Sequence, residues 1–260
     1  MKNLSNKVIL ITGATKGIGA AIARNCIEEG AQVMITGLEE DLAKSLCTEL
    51  GSQSSYQVGN LADSSFCTDV IQYTFDKFGK LDGLVNNAAL IQRDTLDQFQ
   101  PETFLEVMKV NVLAPLLLIK AATPFLENTR GSIVNIGSTN ALCGEENQVS
   151  YSASKAALVN VTQTVANYFS LQRKGIRVNH LNVGWVLTEA EIERKVADGF
   201  PPGWQNNLPE SDIPFGRMIL PEDIAHQVVF WLSDKSFPAT GAIVTVSQNP
   251  YKKKTRTSLG

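Results

Sequence analysis

With 260 residues, 43% of them hydrophobic and 19% charged, the chain has the composition of an ordinary soluble globule, long enough for one large α/β domain or two small ones. A formal net charge of −3 leaves no basic surplus to neutralise phosphates and argues against a general nucleic-acid binder. The four cysteines (Cys26, Cys47, Cys67, Cys143) have no metal-ligand spacing and only His180 and His226 to assist them, so neither a metal site nor a disulfide framework is expected.

The N-terminus enters an apolar strand without a signal-like segment, and no apolar run approaches a membrane span, so the cytoplasm is the expected address. Residues 7–12 form a short β-branched run, as expected of a central parallel strand buried on both faces. Gly13-Ala14-Thr15-Lys16-Gly17-Ile18-Gly19 follows, and residues 20–29 have helical composition. Strand, glycine-rich turn and helix offer backbone N–H groups to a phosphate, although the spacing is G-x-x-x-G-x-G and not G-x-G-x-x-G. An ordinary tight connection would read the same way, so the turn alone decides nothing.

Further along, strands are expected over 32–36, 54–58, 83–89, 131–136, 176–183 and 242–246. Helices are expected over 38–50, with Leu42, Leu46 and Leu50 as its apolar residues, over 63–78 behind an Asp63 or Ser64 cap, and over 151–173 and 221–232. A long helical stretch over 101–126 carries Pro115 and Pro124, which predict a kink or break. Strand–helix alternation with no linker predicts a single-domain, Rossmann-like, doubly wound parallel sheet of the α/β class spanning 1–260. Residues 184–220 show no sustained period and hold Trp185, Phe200, Trp204, Phe215 and four prolines (Pro201, Pro202, Pro209, Pro214), which reads as a substrate loop or lid. The basic stretch within 251–260 reads as a solvated tail.

The chemistry concentrates between Ser138 and Lys155. Ser138 should sit just past the carboxyl end of a buried strand, and Tyr151 and Lys155 share one helix face a turn apart. A free phenol, with a pKa of about 10, is ionised in roughly one molecule per thousand at neutral pH. A lysine ammonium nearby is expected to draw that pKa toward the working range, while a serine hydroxyl donates to a substrate carbonyl oxygen. A Tyr/Lys pair four apart is common on helices, and it gains meaning only from the rest of the chain.

Over nearly its whole length the chain resembles the short-chain dehydrogenase/reductase family. The likeness lies in Thr12-Gly13-x-x-x-Gly17-x-Gly19, Asn86-Asn87-Ala88-Ala89, Asn111, Ser138 and Tyr151-x-x-x-Lys155, all in the family's order. The resemblance implies a reversible hydride transfer between a nicotinamide and a carbonyl or secondary alcohol. Tyr151 would be the general acid/base. Lys155 would lower its pKa and hold the nicotinamide ribose, Ser138 would orient the substrate oxygen, and Asn111 would hold a water in a relay through Lys155. Thr15, Lys16, Gly13, Gly17, Ile18, Gly19, Asn60, Leu61, Asn87, Ala88, Val183, Gly184, Val186 and Thr188 would line the cofactor, with Thr188 on the carboxamide. Two departures stand out: Ala89 where the family often has glycine, and Val183 where it often has proline.

An acid at the end of the second strand would mark NAD. That strand ends Ile35-Thr36-Gly37-Leu38, and Glu39 and Glu40 read as the start of the next helix. Lys16 is the basic residue that would meet a 2′-phosphate, so NADP is expected ahead of NAD. Glu145, Asn147, Gln148, Glu189 and Glu191 would supply polar contacts to a small-molecule substrate, with a small polyol or sugar, a keto-ester and a cyclic ketone all open. The resemblance implies a homotetramer or homodimer built through the helices that carry Asn111 and Tyr151, with no nucleic-acid or membrane partner. A non-catalytic nucleotide-binding sensor or scaffold of the same fold is the rival reading, and the complete Ser-Tyr-Lys-Asn set argues against it.

Overall fold

A computed structural model describes residues 2–249; the tail expected over 251–260 lies outside the described residues. In chain order the elements are β1 (Val8–Thr12), α1 (Gly17–Glu28), β2 (Gln32–Thr36), α2 (Glu40–Leu50), β3 (Ser54–Tyr56), α3 (Ser64–Phe78), β4 (Gly83–Asn86), α4 (Pro101–Met108), α5 (Ala114–Thr129), β5 (Ser132–Ser138), α6 (Val149–Leu171), β6 (Arg177–Val183), α7 (Glu189–Ala197), α8 (Pro221–Leu232) and β7 (Ile243–Val246). The strands form one seven-stranded sheet in the order β3-β2-β1-β4-β5-β6-β7. Every pairing in it is parallel. This is a single Rossmann-like α/β domain. Strand order reverses between β1 and β4, and the crevice at the carboxyl ends there is where such sheets place a ligand.

Side chains that alternate along each strand feed two cores. Ile9 and Ile11 of β1 pack with α1 and α8, whereas Leu10 between them packs with α3 and α5. Burial on both faces is why β1 reads as an unbroken apolar run. α3 begins as expected at Asp63, whose carboxylate accepts the Ser65 N–H at 2.9 Å. α2 buries Ala43 and Leu46, while Leu42, another of its apolar residues, is exposed.

Two expectations are corrected and one is met. The long stretch after residue 101 breaks near Pro115, as expected, through a wide π-type turn over Lys109–Leu113. Pro124 is carried inside α5 without ending it. Within 184–220 there is a regular helix, α7. The Thr188 side chain caps it by accepting the Glu191 N–H, and Arg194 pairs with Glu191 and Asp198 along it. α7 contains no buried residue, so no apolar stripe announces it.

A buried polar seam crosses the sheet below the crevice. Asn86 Nδ2 donates to Asn135 Oδ1 (2.8 Å), Asn135 Nδ2 donates to Thr162 Oγ1 (2.9 Å), and His180 bridges Thr162 Oγ1 (3.2 Å) and Asn182 Oδ1 (2.9 Å). The seam joins β4, β5, α6 and β6. Burial lowers the His180 pKa to about 4, so this imidazole is neutral at pH 7 and serves as a structural bridge.

Candidate active site

Gly13 and Gly17 both adopt positive φ (+59° and +56°), a conformation that costs glycine little. A Cβ on Gly13 would come within 2.8 Å of Ala88 Cα, and one on Gly19 within 2.2 Å of the Gly13 carbonyl oxygen. The turn is therefore folded tightly against the end of β4. Asn87 braces it by donating from Nδ2 to the carbonyl oxygens of Thr12 and Gly13, each at 2.9 Å. The Thr12 hydroxyl oxygen accepts the N–H groups of Asn87 and Ala88. Lys16, at the N-cap of α1, makes no side-chain cap, and the first turn of α1 carries no acid. Its leading N–H groups and dipole suit a pyrophosphate, so a dinucleotide fits this cradle. Ala89 is not among the residues with positive φ, which explains how alanine is accepted there.

The residue that sequence reasoning set aside here is Glu39. Its carboxylate accepts from Thr15 Oγ1 (3.0 Å) and from Lys16 Nζ (2.7 Å), and these bonds hold its pKa below the usual range. Glu39 stands at the N-cap of α2 without capping it, so its side chain turns back to the glycine-rich turn. A carboxylate three residues beyond a strand end was the available signal. Asn60 and Leu61 follow β3 beside this end of the sheet. The Asn60 side chain accepts the Ala62 N–H, and the Leu61 carbonyl accepts from Cys67 Sγ.

Ser138 is the last residue of β5, and its hydroxyl oxygen accepts the Asn140 N–H at 3.1 Å. Tyr151 lies in the first turn of α6, 8% exposed. Burial pushes its phenol up to about 12; the Ser138 hydroxyl pulls it downward, and the charge of Glu145 pushes up. Lys155 Nζ donates to the Ile136 carbonyl oxygen at 2.9 Å and stands 5.6 Å from the Tyr151 ring centroid. The expectation that Lys155 draws the phenol toward neutrality is not met in the protein alone: desolvation wins. The same burial lowers the Lys155 ammonium to about 8.

Asn111 lies in the π turn, and its side chain is fully engaged. Nδ2 donates to the Leu90 carbonyl oxygen and to Ser154 Oγ (both 3.0 Å), and Oδ1 accepts the Leu90 N–H (2.8 Å). It ties the loop after β4 to α6. Pro115, four residues on, has no N–H to offer the Asn111 carbonyl.

On the other side of the crevice β6 ends at Val183. Gly184 donates its N–H to the Val246 carbonyl oxygen (2.9 Å), and a Cβ on it would strike Ser247 Oγ at 2.6 Å. Val186 pairs with Ile219 in a parallel bridge, and the Thr188 methyl lies beside Gly17, so the rim and the glycine-rich turn face each other. Trp185 stacks on the buried Trp204 (centroids 5.4 Å, 10°), with Phe200 edge-on to Trp204 and Lys195 Nζ over Phe200 (4.2 Å). Phe215 stays 79% exposed and does not join them. Of the polar residues expected at the rim, Glu191 accepts from Trp185 Nε1 (2.6 Å) and Gln148 Oε1 accepts from Asn140 Nδ2 (2.7 Å). The Asn147 carbonyl oxygen accepts the Asp94 N–H. Among the described residues no cluster of histidine, cysteine, aspartate and glutamate could hold a metal, and no helix is long and apolar enough to cross a membrane.

Comparison with known proteins places this geometry. Residues 13–248 match a family model described as Enoyl-(Acyl carrier protein) reductase. The chain is 35% identical over 247 residues to 2-(S)-hydroxypropyl-CoM dehydrogenase 3 of Xanthobacter autotrophicus, covering 94% of this chain and 96% of the relative. It is 33% identical to the 3-oxoacyl-(acyl-carrier-protein) reductase FabG of Rickettsia conorii, covering 95% and 98%. It is 31% identical to the 7alpha-hydroxysteroid dehydrogenase of Clostridium sardiniense, covering 95% and 94%.

The buried ammonium has a thermodynamic signature. Because folding lowers the Lys155 pKa from 10.5 to about 8, the charged form costs stability below pH 8, and the cost fades as pH rises toward 10.5. At about 1.4 kcal/mol per pKa unit, less about 1 kcal/mol for the lost bond to Ile136, Lys155→Met should stabilise the fold by about 2 kcal/mol at pH 7. Differential scanning calorimetry should show a Tm raised by roughly 4–8 °C at pH 7 and little gain at pH 10.5.

Proposed function

The chain belongs to the short-chain dehydrogenase/reductase family and is an NAD(P)-dependent oxidoreductase acting between carbonyl and alcohol, and within that activity we propose that Tyr151 gives and takes the proton at the substrate oxygen. The observation that carries this reading is the buried Tyr151 phenol under the influence of the Ser138 hydroxyl, with Lys155 one turn along the same helix. A nicotinamide dinucleotide, when bound, supplies or accepts the hydride. Ser138 donates its hydroxyl proton to the carbonyl oxygen and fixes the reacting group. Tyr151 passes its proton to the same oxygen during reduction and removes it during oxidation. Lys155 holds the ribose and lends positive charge to the forming phenolate. A phenol at about 12 is fully protonated at pH 7, which suits reduction, whereas oxidation gains as pH rises.

The relay role belongs to the Asn111 backbone carbonyl, because its side chain is spent on Leu90 and Ser154. Gly13, Gly17, Ile18 and Gly19 hold the pyrophosphate, Asn60, Leu61 and Ala88 flank the adenosine end, and Val183, Gly184, Val186 and Thr188 close over the nicotinamide end. Residues 184–220 form the substrate rim. Relatives of similar identity differ in the substrates they are named for, so the rim selects the substrate on a common reaction centre. The sensor or scaffold reading is not favoured, since such a protein has no use for a complete Ser138–Tyr151–Lys155–Asn111 set.

The expectation of NADP rested on Lys16 with no acid at the ribose end. Glu39 now occupies that place and already pairs with Lys16, so the site is electrically balanced and carries a carboxylate able to bond a ribose 2′-hydroxyl. We read it as favouring NAD. Assembly is proposed through α5 and α6, where Leu116, Pro124, Val165 and Tyr168 line an open groove and Leu113 and Leu171 are exposed. Four free cysteines suit a reducing compartment, and the cytoplasm is the proposed location.

Nucleotide absorbance with a panel of ethyl acetoacetate, cyclohexanone and an aldose should reveal turnover in the native protein. Tyr151→Phe should lower it roughly 10³-fold while leaving NADH affinity within about threefold; a Tyr151→Phe enzyme of native activity refutes the assignment. Fluorescence titration should show NADH bound more tightly than NADPH, with Glu39→Gln improving NADPH about tenfold. Strong native preference for NADPH would return Lys16 to the 2′-phosphate. Light scattering after size exclusion should give a tetramer, and a monomer would remove the α5–α6 interface.

A further inference from the structure

We propose that Asp94, in the loop after β4, is a positioning residue that caps the catalytic helix from outside and thereby sets Tyr151 against Ser138. Asp94 is 3% exposed, and Ser150, the residue before Tyr151, is fully buried. The Asp94 carboxylate accepts the Ser150 N–H (3.1 Å to Oδ1, 3.3 Å to Oδ2) and also the Ser150 hydroxyl. Backbone bonds reinforce the grip: Asp94 N–H donates to the Asn147 carbonyl oxygen (3.1 Å), and Val149 N–H donates to the Asp94 carbonyl oxygen (3.2 Å).

α6 lacks a cap of its own. Its N-cap residue, Gln148, makes no side-chain cap, and no acid stands in its first turn. Two orphan N–H groups of this 23-residue helix are therefore met by Asp94, 56 positions before Ser150: the carboxylate takes that of Ser150, at the end where the helix dipole favours an anion, and the backbone carbonyl takes that of Val149. Asn111 grips the next turn through Ser154, so Tyr151 lies between two clamps that both run to the 90–111 region. Arg93, beside Asp94, pairs with Asp198 just past α7 (3.2 Å), which anchors the same loop to the rim. The loop after β4 thus fixes where α6 begins, and with it the position of the phenol. A displacement of about 1 Å in a reacting group is enough to cost on the order of 10²-fold in rate.

The inference rests on the reading of Tyr151 as acid/base, and its test separates the two. Hydrogen–deuterium exchange of the purified full chain reports the cap without any substrate. In Asp94→Ala the amides over 149–152 should exchange at least about tenfold faster than in the native protein. With NADH and ethyl acetoacetate, kcat should fall roughly 10- to 100-fold while KM for NADH stays within about threefold. Asp94→Asn keeps acceptor oxygen and should recover most of kcat. Ser150→Ala, a milder change than Asp94→Ala, should lower kcat severalfold and be non-additive with Asp94→Ala. Native exchange over 149–152 in Asp94→Ala, or native kcat in both Asp94→Ala and Ser150→Ala, overturns the proposal. Loss of kcat matched by equal loss of NADH affinity overturns it as well, since that pattern marks general unfolding. An inactive native protein defeats the reductase reading instead, and exchange then decides the cap alone.

Discussion

The site depends on the register between the end of β5 and the start of α6. Ser138 and Tyr151 belong to different elements joined by a connection that contributes little regular structure of its own, yet their hydroxyls must meet within hydrogen-bond reach. Three buried contacts fix that register. Lys155 donates to the Ile136 carbonyl, Asn135 donates to Thr162 two turns further along the helix, and Asp94 holds the residue before Tyr151. Each contact is polar and buried, so its geometry is strict: a slip of the helix would strand a donor or an acceptor away from water at a cost of about 1–3 kcal/mol each. An apolar interface of the same area would hold the helix as firmly but would tolerate sliding.

The electrostatics follow from the same burial. Packing α6 onto the sheet desolvates both titratable groups, raising the phenol to about 12 and lowering the ammonium to about 8. The two pKa values move apart, each in the direction that favours its group's neutral form. The protein alone therefore stores both side chains closer to their uncharged forms, and a substrate oxygen that develops negative charge meets a proton donor and a latent cation. The ammonium's bond to Ile136 leaves its remaining donors for whatever enters the crevice.

Much of this was legible in the sequence, for identifiable reasons. β1 and most of β2 stood out because burial on both faces forces an apolar or β-branched run, and Asp63 marked the start of α3 because its own side chain supplies the cap. The glycine-rich turn, Ser138, Tyr151 and Lys155 were recognisable because their chemistry is carried by spacing within a few residues. α7 was hidden because it buries nothing, so polar pairs and the Thr188 cap sustain it without a stripe. Glu39 was misread because acids at a helix start serve the dipole in most settings, and only the direction of the side chain reveals that it turns back to Thr15 and Lys16. Asp94 was invisible because its partner lies 56 positions away.

The rim and the reaction centre are held by different physics. Trp185, Trp204 and Phe200 pack among themselves, and the rim meets the loop after β4 through an exposed ion pair, Arg93 with Asp198. An exposed pair is worth about 0–1 kcal/mol, far less than the buried contacts that set α6. Rim residues can therefore change without disturbing Tyr151, provided that Gly184 keeps its close approach to Ser247 and Thr188 keeps its cap. Relatives named for such different substrates at similar identity are what that division of labour allows. It also explains why Arg93 and Asp94, neighbours in the chain, carry unequal weight: Arg93 reaches an exposed partner that the rim can spare, and Asp94 reaches a buried one that the catalytic helix cannot.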